Sequence, residues 1–181
     1  MRIGVDLDGV VANFTKGWTK YYEEEFGKKI LEEDITSWGL SEPLTHFKEE
    51  IDFWKWAKNI NGASIFRNLE VYENAVETLN ELSKSGNDII ILSSKPWWSI
   101  HDTLIWLGEN KIPTKEIHFI EEKWTVECDV YIDDAPYQLE SFIKHVPEKK
   151  VIRFVRSYNT PINGVIDIKE WRELIPLLNS F

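Results

Sequence analysis

With 181 residues, 43% of them hydrophobic, the chain can fill one core and a small appended element, but not two full domains. Its net charge of −10, from 31 acidic and 21 basic residues, argues against polymeric nucleic acid or an anionic membrane as partner; a small phosphorylated molecule handled through a metal stays compatible. One cysteine, Cys128, can form no internal disulfide, and neither a secretory leader nor an apolar run of roughly 20 residues is visible, so a reduced, cytoplasmic protein is expected.

The chain opens with RIGVDLD, a short apolar run that ends in two aspartates one residue apart, followed by Gly9. Two like charges this close cost energy unless a cation lies between them. Residues 14 to 70 follow as helix and loop, and they carry almost half of the chain's aromatic side chains. An insertion at this place predicts a small helical cap, 14–70, over a core made of 1–13 and 71–181.

From there, β-rich runs alternate with helical periodicity. NAVETLNELSKSG places Ala75, Val76, Leu79 and Leu82 at helical spacing, with Gly86 positioned to end the helix. NDIIILSSKP (87–96) reads as a strand, WSIHDTLIWLGEN as a helix, EIHFIEEK (116–123) and DVYIDDAP (129–136) as strands, PYQLESFIKHV as a helix, KKVIRFV (149–155) as a strand and KEWRELIPLLNSF as a closing helix. Near-continuous apolar strands separated by helices predict an α/β fold: a Rossmann-like parallel sheet flanked by helices. NTPING (159–164) reads as a turn without chemistry, and His46, His101, His118 and His145 show no paired spacing.

In such a sheet the ligand site lies beyond the carboxyl ends of the strands. The polar residues at those ends are Asp6 and Asp8, Ser93 and Ser94, Lys123, and Asp133 and Asp134. Four aspartates converging in a partly desolvated cleft call for a hard cation with oxygen ligands, Mg²⁺, and the lack of a Cys/His cluster argues against zinc. Asp6, Asp8, Asp133 and Asp134 are the metal candidates; the pattern does not say which of the last two binds directly.

DLDGV, ILSS, Lys123 and YIDDAP resemble the four signature motifs of the haloacid-dehalogenase-like phosphatases, over residues 6 to 134. VDLDGVVANF, DITSW (34–38) and DVYIDDAP further resemble the 5'(3')-deoxyribonucleotidases. The resemblance implies a Mg²⁺-dependent phosphomonoesterase in which Asp6 attacks phosphorus to form an aspartyl-phosphate and Asp8 is the general acid and base. It also implies a backbone carbonyl at Asp8 as a metal ligand. Ser93, Ser94 and Lys123 then bind the phosphate, with Lys95 as the substitute for Lys123. A nucleoside monophosphate is the implied substrate, and Phe14, Trp38 and Trp56 are the candidates to stack on its base, with Trp97 and Trp98 approaching the cap from below. A homodimer is compatible with this reading. The rivals are a phosphatase of another small ester, such as a sugar phosphate, and a non-catalytic or receiver-type module. The order of the motifs and the aromatic insertion count against a receiver.

Overall fold

The computed structural model describes residues 1–40 and 44–181; residues 41–43, within the expected insertion, lie outside the described residues. Six strands form one sheet, parallel throughout: β1 (Arg2–Val5), β2 (Asp88–Ser93), β3 (Glu116–Phe119), β4 (Val130–Asp133), β5 (Lys150–Phe154) and β6 (Ile166–Ile168), in the order β3-β2-β1-β4-β5-β6. The register pairs Val5 with Ile91 on one side and with Ile132 on the other, and the Asp6 amide extends the ladder by donating to the Ile132 carbonyl at 3.0 Å.

Alternate residues of a strand face opposite sides, and here both sides are covered. Ile89 and Ile91 pack with Ile3, Leu79, Trp106 and Leu174 on one face. Ile90 and Leu92 pack with Tyr131, Leu139 and Phe142 on the other. The first face is covered by α3 (Ala75–Lys84), α4 (Ile100–Glu109) and the short α6 (Leu174–Leu178), the second by α5 (Pro136–His145). Two-sided burial is why these strands read as continuous apolar runs. Gly86 ends α3 at φ +86°, with the Asn87 amide returning to the Leu82 carbonyl at 3.1 Å, as its position required.

β6 was not expected from the sequence. It is three residues long, too short for a readable apolar run, and its central Asp167 is given over to an ion pair with Arg153 of β5. The closing helix is also shorter than expected: a 3₁₀ turn at Trp171–Glu173 leads into α6.

Between β1 and α3 the described residues form α1 (Phe14–Phe26), α2 (Glu50–Ala57) and two 3₁₀ turns. Asn13 caps α1 by accepting from the Lys16 amide at 3.0 Å. Trp18, Tyr22, Phe47, Phe53 and Trp56 pack mostly edge to face beneath the two helices, with centroids 5.4–6.3 Å apart among the neighbouring pairs. The aromatic wealth of the insertion therefore divides in two: one part is its own core, the other faces the sheet's carboxyl edge.

Candidate active site

The strand order reverses direction at β1, between β2 and β4, and the crevice beyond those strand ends is where a doubly wound sheet binds ligand. The chain leaves β1 through a tight loop in which the Leu7 carbonyl accepts from the Val11 and Ala12 amides at 2.8 and 2.7 Å. Gly9 takes φ +78° there, and its carbonyl accepts from Arg156 Nε at 2.6 Å.

Asp6, Asp133 and Asp134 come together, each offering a carboxylate oxygen within 4.8 Å of the others, and all three are buried. Lys123 sits among them, with Nζ 2.7 Å from Asp6 Oδ1 and 2.6 Å from Asp133 Oδ2. Lys123 follows two glutamates in sequence and could have been a solvated surface residue, but only 1% of it is exposed. It is held by a 3₁₀ turn, Lys123–Thr125, whose preceding Glu121 carbonyl accepts from Gln138 at 2.8 Å. Burial by itself lowers the ammonium's pKa; Asp133 and Asp6 outweigh it, so the net direction is up and the charge is kept.

The two aspartates of DVYIDDAP differ in their partners. Asp133 is pinned, with Oδ1 accepting from the Asp134 and Ala135 amides at 2.9 Å each and Oδ2 facing Lys123. Asp134 is held on one side only: its Oδ2 accepts from the Tyr158 hydroxyl, while Oδ1 is buried with no hydrogen-bond partner. Burial pushes its carboxyl well above the ordinary value, and Asp6 and Asp133 add to the shift. An unpartnered buried carboxylate oxygen is costly by itself, and a cation relieves it, so the donor set fits a hard divalent ion. Of the pair, Asp134 is the one with a buried carboxylate oxygen left unpartnered.

Asp6 is pushed up to about 7 by burial and by its acidic neighbours, against the pull of Lys123. The Asp8 carboxylate stands outside the three-carboxylate group. It faces Lys95, whose Nζ lies 3.1 Å from Asp8 Oδ1, and burial raises its pKa against that cation. The question of Lys123 or Lys95 thus has a geometric answer: both reach the crevice, one at each aspartate of D-x-D.

The crevice opens into a cavity of about 220 Å³. Asp6, Asp8, Ser93, Ser94, Lys95, Lys123 and Asp134 line one end, and Phe14, Trp38, Trp54 and Phe66 contribute aromatic wall. Phe14 stacks on Phe66 with centroids 5.5 Å apart and on Trp54 at 6.1 Å. Trp38 stands apart from this stack, edge-on to Tyr137 and Tyr158 at 5.8 and 5.5 Å. Trp98 reaches Phe66 and Trp54 at 5.9 and 6.4 Å, whereas Trp97 is exposed beside Lys58.

Trp56 is a correction: it does not line the cavity but donates to Glu25 at 2.6 Å and packs on Phe53 and Phe47. In α2 it lies two residues from Trp54, and a rotation of about 200° puts the two on opposite faces. The segment after β5 packs against the site's loops through contacts that the sequence does not show. Asn159 is buried and ties the Asp134 and Phe154 carbonyls at 2.8 and 2.9 Å, and Arg156 lies over the Tyr72 ring at 4.0 Å. Nothing local marks these residues, because their partners lie up to 147 positions away.

A parallel α/β sheet in this strand order, with acidic pairs at the ends of its first and fourth strands, is the haloacid-dehalogenase-like fold. Solved structures agree on the fold: a dehalogenase in an intermediate complex aligns with TM-score 0.66 at 14% identity over 97% of this chain and 96% of that one. A HAD family hydrolase from Deinococcus radiodurans with bound phosphate and sodium aligns with TM-score 0.62 at 15% identity over 99% and 95%. The family described as "5' nucleotidase, deoxy (Pyrimidine), cytosolic type C protein" matches residues 1–180. The chain is 29% identical over 180 residues to the 5'(3')-deoxyribonucleotidase of Clostridium acetobutylicum, covering 98% of this chain and 94% of the relative. It is 26% identical over 181 residues to that of Bacillus subtilis, covering 95% of each. The protein belongs to this 5'-nucleotidase family and is a phosphoric monoester hydrolase. Among the described residues, no helix is long and apolar enough to cross a membrane.

Proposed function

We propose that the protein is a Mg²⁺-dependent, cytoplasmic 5'(3')-deoxyribonucleotidase that works through an aspartyl-phosphate on Asp6, with residues 14–70 acting as a cap over a core of 1–13 and 71–181. One observation carries the reading: three buried carboxylates and a buried lysine converge at one end of an aromatic-walled cavity. The lone buried Cys128 agrees with a reducing compartment.

Asp6, Asp134 and, through its second carboxylate oxygen, Asp133 are the side chains to hold Mg²⁺, with the Asp8 carbonyl added by the family resemblance. When bound, the ion offsets the repulsion between these carboxylates and the incoming phosphate. Lys123 orients Asp6 and Asp133, and Asp6 attacks phosphorus in line with the ester oxygen. Asp8 gives its proton to that oxygen as the P–O bond breaks, and later takes one from the water that hydrolyses the aspartyl-phosphate. Its burial favours the protonated form this first step needs. Ser93 and Ser94 line the same end of the cavity and offer hydroxyls to the phosphoryl oxygens. Phe14, Trp54 and Phe66 offer stacking faces to the base, with Trp38 at the opposite side of the mouth.

The test is phosphate release from deoxy- and ribonucleoside monophosphates, sugar phosphates and 4-nitrophenyl phosphate, each with Mg²⁺ and with chelator. Chelator-sensitive release strongest on deoxynucleotides is the expected result. Release confined to sugar phosphates would keep the carboxylate chemistry and overturn the reading of the aromatic wall.

A further inference from the structure

We propose that Lys95 is a positioning residue for Asp8, a second active-site cation that serves the leaving-group side while Lys123 serves the nucleophile. The inference rests on the phosphomonoesterase reading above. Each aspartate of D-x-D has its own lysine: Lys123 Nζ lies 2.7 Å from Asp6, and Lys95 Nζ lies 3.1 Å from Asp8. Lys95 is no surface residue, since its side chain is 3% exposed, and it follows directly on Ser94 in the chain just beyond β2. Its ammonium also lies over the Phe66 ring, 4.3 Å from the centroid, and Phe66 stacks with Phe14 and Trp54 on the cavity wall. The charge therefore stands where the general acid meets the aromatic side of the site.

The contact is a close ion pair: Asp8 Oδ1 is buried, and Lys95 Nζ is the cation beside it at 3.1 Å. In the first step the P–O bond breaks, its electron pair stays on the ester oxygen, and that oxygen takes the proton from Asp8. Asp8 becomes a carboxylate in the same event, beside an ammonium that keeps all its protons. The pairing is stronger after proton transfer than before it, so it lowers the barrier and not merely the energy of bound substrate.

Leaving-group chemistry separates this role from simple phosphate binding. An alkoxide leaves poorly without a proton, whereas 4-nitrophenolate needs none. Lys95→Met should lose about 100-fold in kcat/KM on a nucleoside monophosphate and no more than a few-fold on 4-nitrophenyl phosphate, with Lys95→Arg recovering most of the loss. Equal losses on the two esters, or no loss on the nucleotide, would overturn the proposal. If Lys95→Met does not melt cooperatively, Lys95→Gln takes its place in the same comparison. Should the wild-type enzyme prove inactive on nucleotides, any other alkyl phosphate it hydrolyses supplies the first arm, so the nucleotide reading and the Lys95 role fail separately.

Discussion

Replacing Gly9 by alanine tests how tightly the D-x-D-G loop is fitted against the second acidic pair. The backbone at Gly9 has φ +78°, where an L side chain costs about 1–2 kcal/mol. A Cβ there would also stand inside contact distance of Asp134 Oδ2, 2.6 Å from Asp134 Cγ and 2.6 Å from the Tyr158 hydroxyl. Neither neighbour can simply swing aside: Asp134 is a short buried side chain whose carbonyl is held by Asn159, and Tyr158 is bonded to Asp134 itself. Overpacking of this kind costs about 1–3 kcal/mol more, giving roughly 2–5 kcal/mol in all. For a chain of this length the midpoint of thermal unfolding should fall by roughly 4–20 °C. Because the displaced group is Asp134, Mg²⁺ affinity measured by calorimetry should fall as well. An unchanged melting temperature together with unchanged Mg²⁺ binding in Gly9→Ala would refute the account of this contact.

Three further outcomes are expected. Asp6→Asn should reduce turnover at least about 1,000-fold while the protein still melts cooperatively, since an amide is a poor nucleophile but Lys123 keeps Asp133 as partner; kinetics within a few-fold of wild type would remove Asp6 from the mechanism. The carboxyls of Asp6, raised to about 7, and of Asp134 hold protons in the folded metal-free protein at pH values where an unfolded chain has lost them. Stability of the metal-free protein should therefore fall as pH rises from about 4 to 7, and Mg²⁺ affinity should rise over the same interval as the ion displaces fewer protons. Melts in chelator and Mg²⁺ titrations at pH 5.5 and 8 check both signs, and Asp6→Asn should flatten the slope. Finally, Trp54→Ala should raise KM for nucleoside monophosphates about 10-fold or more with little effect on a small aryl phosphate, whereas Trp56→Ala should lower the melting temperature and leave KM alone. The same KM change in both would erase the division of the aromatic insertion into wall and core.

Five strands and the helices between them were legible in the chain because a sheet buried on both faces needs unbroken apolar runs, and those end abruptly where the backbone leaves the core. Asp6, Ser93 and Asp133 stand at such ends, so their convergence follows from the parallel topology alone. β6 lacked that signal, being a three-residue edge strand paired through Arg153 and Asp167.

Sequence pattern, then, determined the layer architecture and the strand ends at which the polar residues gather, since both depend on periodicity and on signals that lie within a few residues of their cause; that the Asp8 carboxylate stands apart from the other three was decided by the fold. Tertiary structure alone decided which lysine faces which aspartate, that Asp134 keeps an open oxygen while Asp133 is pinned, and that Trp54 rather than Trp56 lines the cavity. Those distinctions turn on helix rotation and on contacts made across the fold, as when Arg156 reaches the Gly9 carbonyl from 147 residues away. No local pattern encodes such a partner, because it is selected by the shape of the assembled core and not by the neighbours along the chain.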